Sequence, residues 1–248
     1  MAPHANEPEV FTNGHTTTND VRRDLFTVDS PNVAYTESEI QSKYTYRTTS
    51  VTRGADGGYV AAPKEQKYDF KVQRKVGKVG MMLVGWGGNN GTTVTAGILA
   101  NRNNLVWETR EGPRAANYYG SVVMASTIKL GTDAATGQEI NIPMHDLLPM
   151  VHPNDLVIGG WDISNLNLAE SMDRAAVLEP TLKSMVRKQM ATMKPLPSIY
   201  YPDFIAANQG ARANNLLPGD KACDEHLEQI RRDIRYHSHL ARLFQSLI

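Results

Sequence analysis

Between residues 78 and 99 the spacing of apolar side chains changes from a continuous run to a helical repeat. Residues 79–84 are almost all apolar, which is typical of a parallel strand buried on both faces. A glycine- and asparagine-rich turn follows, and from Thr92 onward apolar residues recur at helical spacing. The pattern therefore predicts a strand, a tight turn and a helix.

The turn carries an irregular glycine motif. Gly85 and Gly87 match the first two glycines of G-x-G-x-x-G, which permit a tight turn and a close approach of the main chain to a pyrophosphate. Asn90 stands where the third glycine belongs, and Gly91 follows it, so a different packing of helix on strand is expected. A helix start after such a turn favours an anion. A glycine loop alone also fits a plain strand-turn-helix.

The rest of the chain divides into stretches of different pattern. Residues 1–24 are polar and predict a flexible N-terminus. Residues 25–77 carry β-branched and aromatic residues in short pieces between turns, which predicts an antiparallel meander. Residues 78–235 have α/β character, and residues 236–248 read as an apolar helical tail with an exposed face. That face is formed by Leu240, Leu243, Phe244, Leu247 and Ile248.

Within the α/β stretch, further elements follow from local pattern. Residues 121–130 and 155–160 are predicted strands, and residues 198–201 a short one. Helical periodicity between residues 166 and 190 predicts two helices. Pro180 separates them, because proline is accepted in a first helical turn but not in a helix interior.

Asp162 follows a strand that ends in two glycines, so its carboxylate is expected outside the carboxyl end of that strand, where open α/β sheets bind ligands. That position suits a ribose hydroxyl, and it equally suits an N-cap of the next helix. Glu108 and Glu111 are nearer the usual spacing of about 20 residues beyond the glycines. Because they stand among arginines, a solvated charged loop is the favoured interpretation for them.

Residues 197–215 combine a short apolar strand with a dense group of amide side chains and Arg212. Amides donate and accept hydrogen bonds, so they suit a hydroxyl-rich ligand, and the guanidinium of Arg212 offers a fixed fork for phosphate. From the residues alone, a polar surface loop with turn-forming asparagines is the simpler interpretation.

Composition narrows the function classes. Lysine plus arginine equals aspartate plus glutamate, at 26 each, so no basic excess favours nucleic acid or a membrane surface. The single cysteine, Cys223, permits no internal disulfide, and no metal-ligand spacing is present, which fits a reducing compartment. The first residues lack an apolar signal core, and no stretch is long enough to cross a bilayer. A cytoplasmic protein without metal is expected.

Several long strings together resemble the amino-terminal half of eukaryotic, fungal-like myo-inositol-1-phosphate synthase, also called inositol-3-phosphate synthase. The strings are LVGWGGNNGTT, NYYGS, ASTIKLG, LLPMVHPNDLVIGGWDISNLNLAESMDRAAVLE, LPSIYYPDFIAANQ and RANN. The resemblance extends from about Leu25 to Arg235. It implies an α/β fold in which residues 78–235 form an incomplete, Rossmann-like NAD-binding domain with a parallel sheet, preceded by a β-rich N-terminal segment.

The resemblance also implies an activity. The family is an NAD-dependent isomerase that converts D-glucose 6-phosphate to 1D-myo-inositol 3-phosphate, in inositol and phospholipid biosynthesis. The sugar phosphate is oxidised, closed by an intramolecular aldol and reduced again by the same cofactor, so no net redox change occurs. A homotetramer is implied as well.

Site residues follow from the matching positions of the family. Gly85, Gly87, Gly88, Asn89, Asn90 and Gly91 would surround the pyrophosphate. Asp162 would bind the adenosine ribose. Ser198, Ile199, Gln209 and Arg212 would hold the rest of the adenosine half. No catalytic residue is assigned, because the catalytic lysines of the family lie in a carboxyl half that we expect to be missing.

The resemblance leaves three hypotheses. In the first, the chain represents inositol-3-phosphate synthase and is expected to be inactive by itself, since it is expected to be truncated before the catalytic and tetramerisation domain. Alternatively, it is a short non-catalytic isoform that binds NAD weakly or associates with full-length subunits. The third hypothesis is a different NAD-dependent oxidoreductase that shares only the nucleotide-binding unit.

Overall fold

The computed structural model describes residues 27–204, 207–219 and 224–243, with side chains described as far as residue 238. The chain divides into two compact units, the first ending at Lys75 and the second beginning at Val76. No helix in these described ranges is both long enough and apolar enough to cross a membrane. The predicted flexible segment, residues 1–24, lies outside the described residues.

The first unit is an antiparallel sheet of three strands, in the order β1 (Val33–Tyr35), β2 (Glu39–Arg53) and β3 (Tyr59–Gln73). β2 and β3 form one long hairpin without a register shift. Their alternating β-branched and aromatic residues suit a pleated ribbon, and the Tyr68 and Phe70 rings stack with centroids 6.2 Å apart. The predicted antiparallel meander is confirmed.

The second unit alternates strands and helices. Its elements are β4 (Gly80–Val84), α1 (Asn89–Arg102), β5 (Val106–Thr109), β6 (Gly112–Ala115), α2 (Val122–Ala125), β7 (Thr127–Thr132), β8 (Glu139–Pro143), α3 (Met144–Leu147), β9 (Val157–Asp162), α4 (Leu168–Ala175), α5 (Pro180–Met190), β10 (Leu196–Pro197) and α6 (Asp224–Leu243). Short 3₁₀ helices span Pro153–Asp155 and Ala207–Arg212.

A parallel sheet in the order β10-β9-β4 organises this unit, while β5-β6 and β7-β8 form separate antiparallel hairpins. Helices α1, α4 and α5 pack together beside the sheet. Their buried side chains form one apolar core: Trp86, Ala96, Leu99, Ala100, Leu168, Ala169, Met172, Leu182, Val186 and Met190. The predicted α/β fold with a parallel sheet is confirmed, as is the helix break at Pro180.

Three predicted elements differ in detail. Residues 121–130 were expected as one strand, but Ser121 caps the short helix α2 and the strand begins only at Thr127. The strand expected at residues 198–201 lies earlier, at Leu196–Pro197. Among the described strands β4 pairs only with β9, and Val84 is 86% exposed, so β4 is an edge strand and is not buried on both faces.

Helix α6 packs on the sheet through polar side chains. The indole Nε1 of Trp161 donates to Asp233 Oδ2 at 2.8 Å. His237 lies over Gly80 and Gly159, where an added Cβ would approach its ring within 2.8 Å. His237 is therefore buried against the sheet, a contact that the sequence did not predict. The apolar face predicted at residues 240–248 lies outside the described side chains.

Replacing Trp161 by phenylalanine tests this anchor. Trp161→Phe removes the indole N–H and with it the hydrogen bond to Asp233. A hydrogen bond to a charged group contributes about 1.5–3 kcal/mol to the free energy of unfolding. Trp107→Phe is the matched control, because among the described residues the buried Nε1 of Trp107 has no hydrogen-bond partner. Urea unfolding should show Trp161→Phe to be the more destabilising by that margin. Equal losses in the two variants would exclude an energetic role for the Trp161–Asp233 bond.

Candidate functional site

The glycine turn is fastened to the end of β9. Gly85 has φ of +79°, a left-handed conformation that glycine adopts without strain. The backbone N–H groups of Gly85 and Trp86 both donate to the carbonyl of Trp161, at 2.8 and 2.9 Å. The N–H of Gly88 closes the turn on the carbonyl of Gly85 at 2.8 Å. The turn is therefore held against the carboxyl end of the neighbouring strand.

Gly91 provides the close packing that the irregular motif left open. A Cβ atom added to Gly91 would lie 2.2 Å from the carbonyl oxygen of Trp86, so only glycine fits. The Trp86 indole is buried, and its Nε1 donates to Thr95 Oγ1 at 3.0 Å. Gly91 thus takes the packing role of the third glycine one residue later than in the usual motif.

The N-terminus of α1 presents unpaired amides beside this turn. Gly88 is the N-cap, no side chain caps the helix, and its first turn contains no acidic residue. The amides of Asn89, Asn90 and Gly91 have no intrahelical acceptor, since they belong to the first turn. These amides and the positive end of the helix dipole favour an anion.

Asp162 lies at the carboxyl end of β9 and is only 1% exposed. Its Oδ1 accepts hydrogen bonds from Ser164 N at 2.9 Å and from Arg212 Nη1 at 3.1 Å. Its Oδ2 is buried without a partner among the described residues, close to Gly87. The carboxylate is therefore half satisfied by the protein.

The N-cap interpretation of Asp162 is wrong. Asn167 caps α4, and Asn167 and Glu170 form a reciprocal capping box with bonds of 3.0 Å. Asp162 lies too far before the helix to bond its first amides, because it precedes the N-cap residue Asn167 by five positions. The sequence signal for this cap is the N-x-x-E pattern of residues 167–170, which the interpretation of Asp162 as the cap overlooked.

Arg212 and Gln209 reach the same region from the 3₁₀ helix Ala207–Arg212. The Nε of Arg212 donates to Gln209 Oε1 at 2.6 Å while its Nη1 bonds Asp162. One guanidinium therefore links the amide of Gln209 to the carboxylate of Asp162. Arg212, one of the residues that the resemblance assigns to the cofactor site, thus contacts Asp162 directly, and Gln209 is joined to it through Arg212.

Ser198 and Ile199 follow β10 directly, beside the end of β9, since Pro197 pairs with Asp162. Ser198 is buried, and its backbone bonds Asn215 O and Leu217 N at 2.9 Å each. The Asn215 side chain donates to the carbonyl of Asp162 at 2.9 Å. Asn215, one of the amide side chains of residues 197–215, therefore links the end of β9 to the segment after β10.

Arg174 is the residue that the sequence analysis missed. It lies in the last turn of α4, and its Nη2 donates to the carbonyl of Gly87 at 2.6 Å. Partial burial lowers the pKa of its guanidinium, Arg212 lowers that pKa further, and Asp162 raises it. A basic residue near a helix end is common, so only the tertiary contact distinguishes Arg174.

The two alternative acidic residues lie elsewhere. Glu108 and Glu111 belong to the β5-β6 hairpin, which is not part of the parallel sheet. Glu111 forms an exposed ion pair with Arg114 at 2.5 Å. Glu111 thus lies in a solvated charged turn as expected, whereas Glu108 is exposed within the strand β5 instead of a loop. No group of three or more His, Cys, Asp or Glu side chains within the described ranges could hold a metal ion.

Comparison with known proteins decides the family. A family model described as myo-inositol-1-phosphate synthase matches residues 79–246, more than half of the chain. The chain belongs to this family. The matched part is the NAD-binding domain of myo-inositol-1-phosphate synthase, so NAD is the cofactor of the family. The match also continues past Arg235, where the resemblance was expected to end.

Individual relatives agree with the family model. Inositol-3-phosphate synthase of Dictyostelium discoideum is 54% identical over 210 residues, covering 85% of this chain and 40% of the relative. Inositol-3-phosphate synthase 1 of Homo sapiens is 54% identical over 211 residues, covering 85% of this chain and 37% of the relative. The chain therefore spans about two fifths of the length of these relatives.

A solved structure has the same fold. The crystal structure of inositol-3-phosphate synthase from Caenorhabditis elegans superposes with a TM-score of 0.81 at 49% identity. The superposition covers 88% of this chain and 42% of the Caenorhabditis elegans chain. At this identity the likeness extends to the sequence as well as to the fold.

The geometry fits a dinucleotide. An uncapped helix start faces a turn without side chains at Gly85, Gly87 and Gly88, which leaves room for a pyrophosphate. The buried Oδ2 of Asp162 lies beside that turn and lacks a donor among the described residues. Donor amides and an unsatisfied acceptor therefore occur at one edge of the sheet.

Proposed function

We propose that the full-length protein bearing this chain is an inositol-3-phosphate synthase that converts D-glucose 6-phosphate to 1D-myo-inositol 3-phosphate. The observation that carries the proposal is the family match over residues 79–246, which includes the whole glycine turn and Asp162. The relatives at 54% identity bear the name of this activity. The hypothesis of a different NAD-dependent oxidoreductase has no comparable support.

The cofactor contacts are proposed at the predicted positions. Gly85, Gly87, Gly88, Asn89, Asn90 and Gly91 receive the pyrophosphate, Asp162 the adenosine ribose, and Ser198, Ile199, Gln209 and Arg212 the remaining adenosine half. Bound there, NAD supplies reversible hydride transfer. The amides at the start of α1 and the Arg212–Asp162 pair support this arrangement, because they place donors and an acceptor around one turn.

The described residues support binding rather than chemistry. An enolisation needs a positioned base and a group that stabilises the oxyanion. Arg212, the cation that bonds Asp162 at this edge, is engaged with Gln209 and Asp162, and no base positioned for such a step is identified among the described residues. Catalytic lysines and the sugar phosphate pocket are proposed for the rest of the full-length protein, and this chain by itself is proposed to be inactive.

Turnover assays test the proposal. Full-length protein incubated with glucose 6-phosphate and NAD⁺ should form inositol 3-phosphate without net NADH, and the 248-residue chain assayed alongside should form none. Stoichiometric NADH without inositol phosphate would exclude the proposed reaction. Inositol phosphate made by the purified 248-residue chain would place the active site within it.

A non-catalytic role for the chain has one supporting observation. The exposed Val84 and the open edge of β4, seen within the described strands, resemble surfaces that associate with another chain. A short form that binds NAD weakly or joins full-length subunits is therefore the second candidate. A cytoplasmic homotetramer of the full-length protein is part of the main proposal, and co-purification of the two forms from a mixed expression tests association.

A further inference from the structure

Arg174 holds one peptide unit of the glycine turn from outside. Its Nη2 donates to the carbonyl of Gly87 at 2.6 Å, and the N–H at the other end of the same peptide, that of Gly88, donates to Gly85 O at 2.8 Å. Both polar ends of this peptide are therefore fixed. Because Gly88 is the N-cap of α1, the peptide sets the direction in which the first amides of the helix point.

Helix α4 holds Arg174 rigidly. The capping box of Asn167 and Glu170 fixes its start, and Leu168 and Met172 are fully buried in the core. The neighbouring carboxylate of Asp173 is not available to Arg174, since it pairs with Lys183 and Arg187 of α5. The guanidinium of Arg174 is thus directed to the turn by the helix that carries it.

The charges around the turn do not balance. Arg174 and Arg212 approach one carboxylate, Asp162, and Arg212 forms the ion pair with it. In the part of the chain that the structure describes, Arg174 has no ion pair, and its hydrogen bond goes to the neutral carbonyl of Gly87. Two guanidinium groups beside a single carboxylate leave a net positive charge next to the turn. An anion at the turn would supply the missing charge.

We propose that Arg174 is a positioning residue for the dinucleotide pyrophosphate, holding the Gly87–Gly88 peptide in place and supplying a positive charge beside it. This inference rests on the proposed NAD binding and deepens it. It assigns to α4 a part in cofactor binding that neither the glycine motif nor the adenosine contacts contain.

The proposal predicts a loss of affinity that depends on phosphate. Arg174→Gln can still donate to the Gly87 carbonyl but lacks the charge, and Arg174→Met lacks both. NAD⁺ affinity should fall about tenfold in Arg174→Gln, which loses the charge beside the pyrophosphate. It should fall further in Arg174→Met, which also loses the hydrogen bond to the Gly87 carbonyl. Adenosine, which has no phosphate, should bind all forms alike.

Calorimetric titration of full-length protein with NAD⁺ and adenosine, at low and high salt, tests this. The matched control is Arg187→Gln, which removes an arginine from the adjoining helix, where it pairs with Asp173. Support requires that the Arg174 variants lose affinity for NAD⁺ but not for adenosine, and that NAD⁺ binding depends less on salt in Arg174→Gln. Arg174→Lys should recover part of the NAD⁺ affinity, and Arg187→Gln should bind NAD⁺ like the wild type.

Two results overturn the inference. Wild-type NAD⁺ affinity in Arg174→Met would do so, as would equal losses for NAD⁺ and adenosine with a matching fall in melting temperature, which a purely structural arginine would produce. Failure of the wild-type protein to bind NAD⁺ is a separate outcome, because it would refute the proposed function itself.

Discussion

Gly91→Ala is expected to abolish the dinucleotide site and to destabilise the second unit by at least about 3 kcal/mol. An added Cβ at Gly91 would lie 2.2 Å from the Trp86 carbonyl oxygen and within 2.9 Å of two further Trp86 backbone atoms. Backbone cannot move aside as a flexible side chain does, so either α1 or the turn must shift. Urea unfolding and NAD⁺ titration of the variant measure the two effects.

Gly97→Ala is the matched control for this prediction. Gly97 lies in the same helix, and a Cβ added to it would meet no atom within 4 Å. Because alanine favours the helical conformation over glycine, this variant should be more stable by about 0.5–1 kcal/mol. If Gly91→Ala has the stability and the NAD⁺ affinity of the wild type, the close packing of α1 on the turn is not needed for folding or for binding.

Asp162→Ala is expected to lower NAD⁺ affinity by about 1–3 kcal/mol, as the loss of a charged hydrogen-bond partner does. The variant should also be less stable by about 2–3 kcal/mol, because it leaves Arg212 without its counter-charge and Ser164 N without its acceptor. That loss is below the value for a fully buried pair, since the Arg212 side chain is 32% exposed. Titration and chemical unfolding separate the two quantities.

Two further variants separate binding from stability at this position. Asp162→Asn keeps an acceptor for Ser164 N and nearly the same shape, so most of the stability should return while the charge stays absent. Asp173→Ala removes a carboxylate from an exposed ion-pair network and should cost no more than about 1 kcal/mol. Wild-type NAD⁺ affinity in both Asp162 variants would remove ribose binding from the proposal.

Local pattern was enough to predict the elements that position the site. The apolar run before Gly85 and the glycines after it predicted a strand, a tight turn and a helix, which the structure contains as β4 and α1. Pro180 begins α5 because its ring restricts the backbone in a way that suits a first helical turn. The short apolar run that closes in Gly159 and Gly160 predicted the strand β9, which lies two residues further along the chain than expected and ends at Asp162 itself.

Elements with weaker local signals were placed less well. The segment 121–130 is rich in β-branched residues, yet the Ser121 hydroxyl accepts from Met124 N and starts a helical turn instead. The burial of His237 was not predicted, because it depends on two glycines far away in sequence, Gly80 and Gly159. The Ser121 cap is a local signal that outweighed the β-branched residues after it, whereas the burial of His237 is not encoded in the residues nearby.

By itself, the sequence determined the family, the α/β class and the location of the glycine turn, because these depend on residues close together in the chain. Tertiary structure alone decided what surrounds the turn. Arg174 reaches Gly87 only when α4 packs beside α1, and Arg212 reaches Asp162 only when the 3₁₀ helix Ala207–Arg212 lies at the end of β9. Asn167 rather than Asp162 caps α4, since the pairing of β9 with β4 and the bond from Arg212 commit Asp162 to the sheet edge. Contacts between residues distant in sequence depend on packing and not on local propensity.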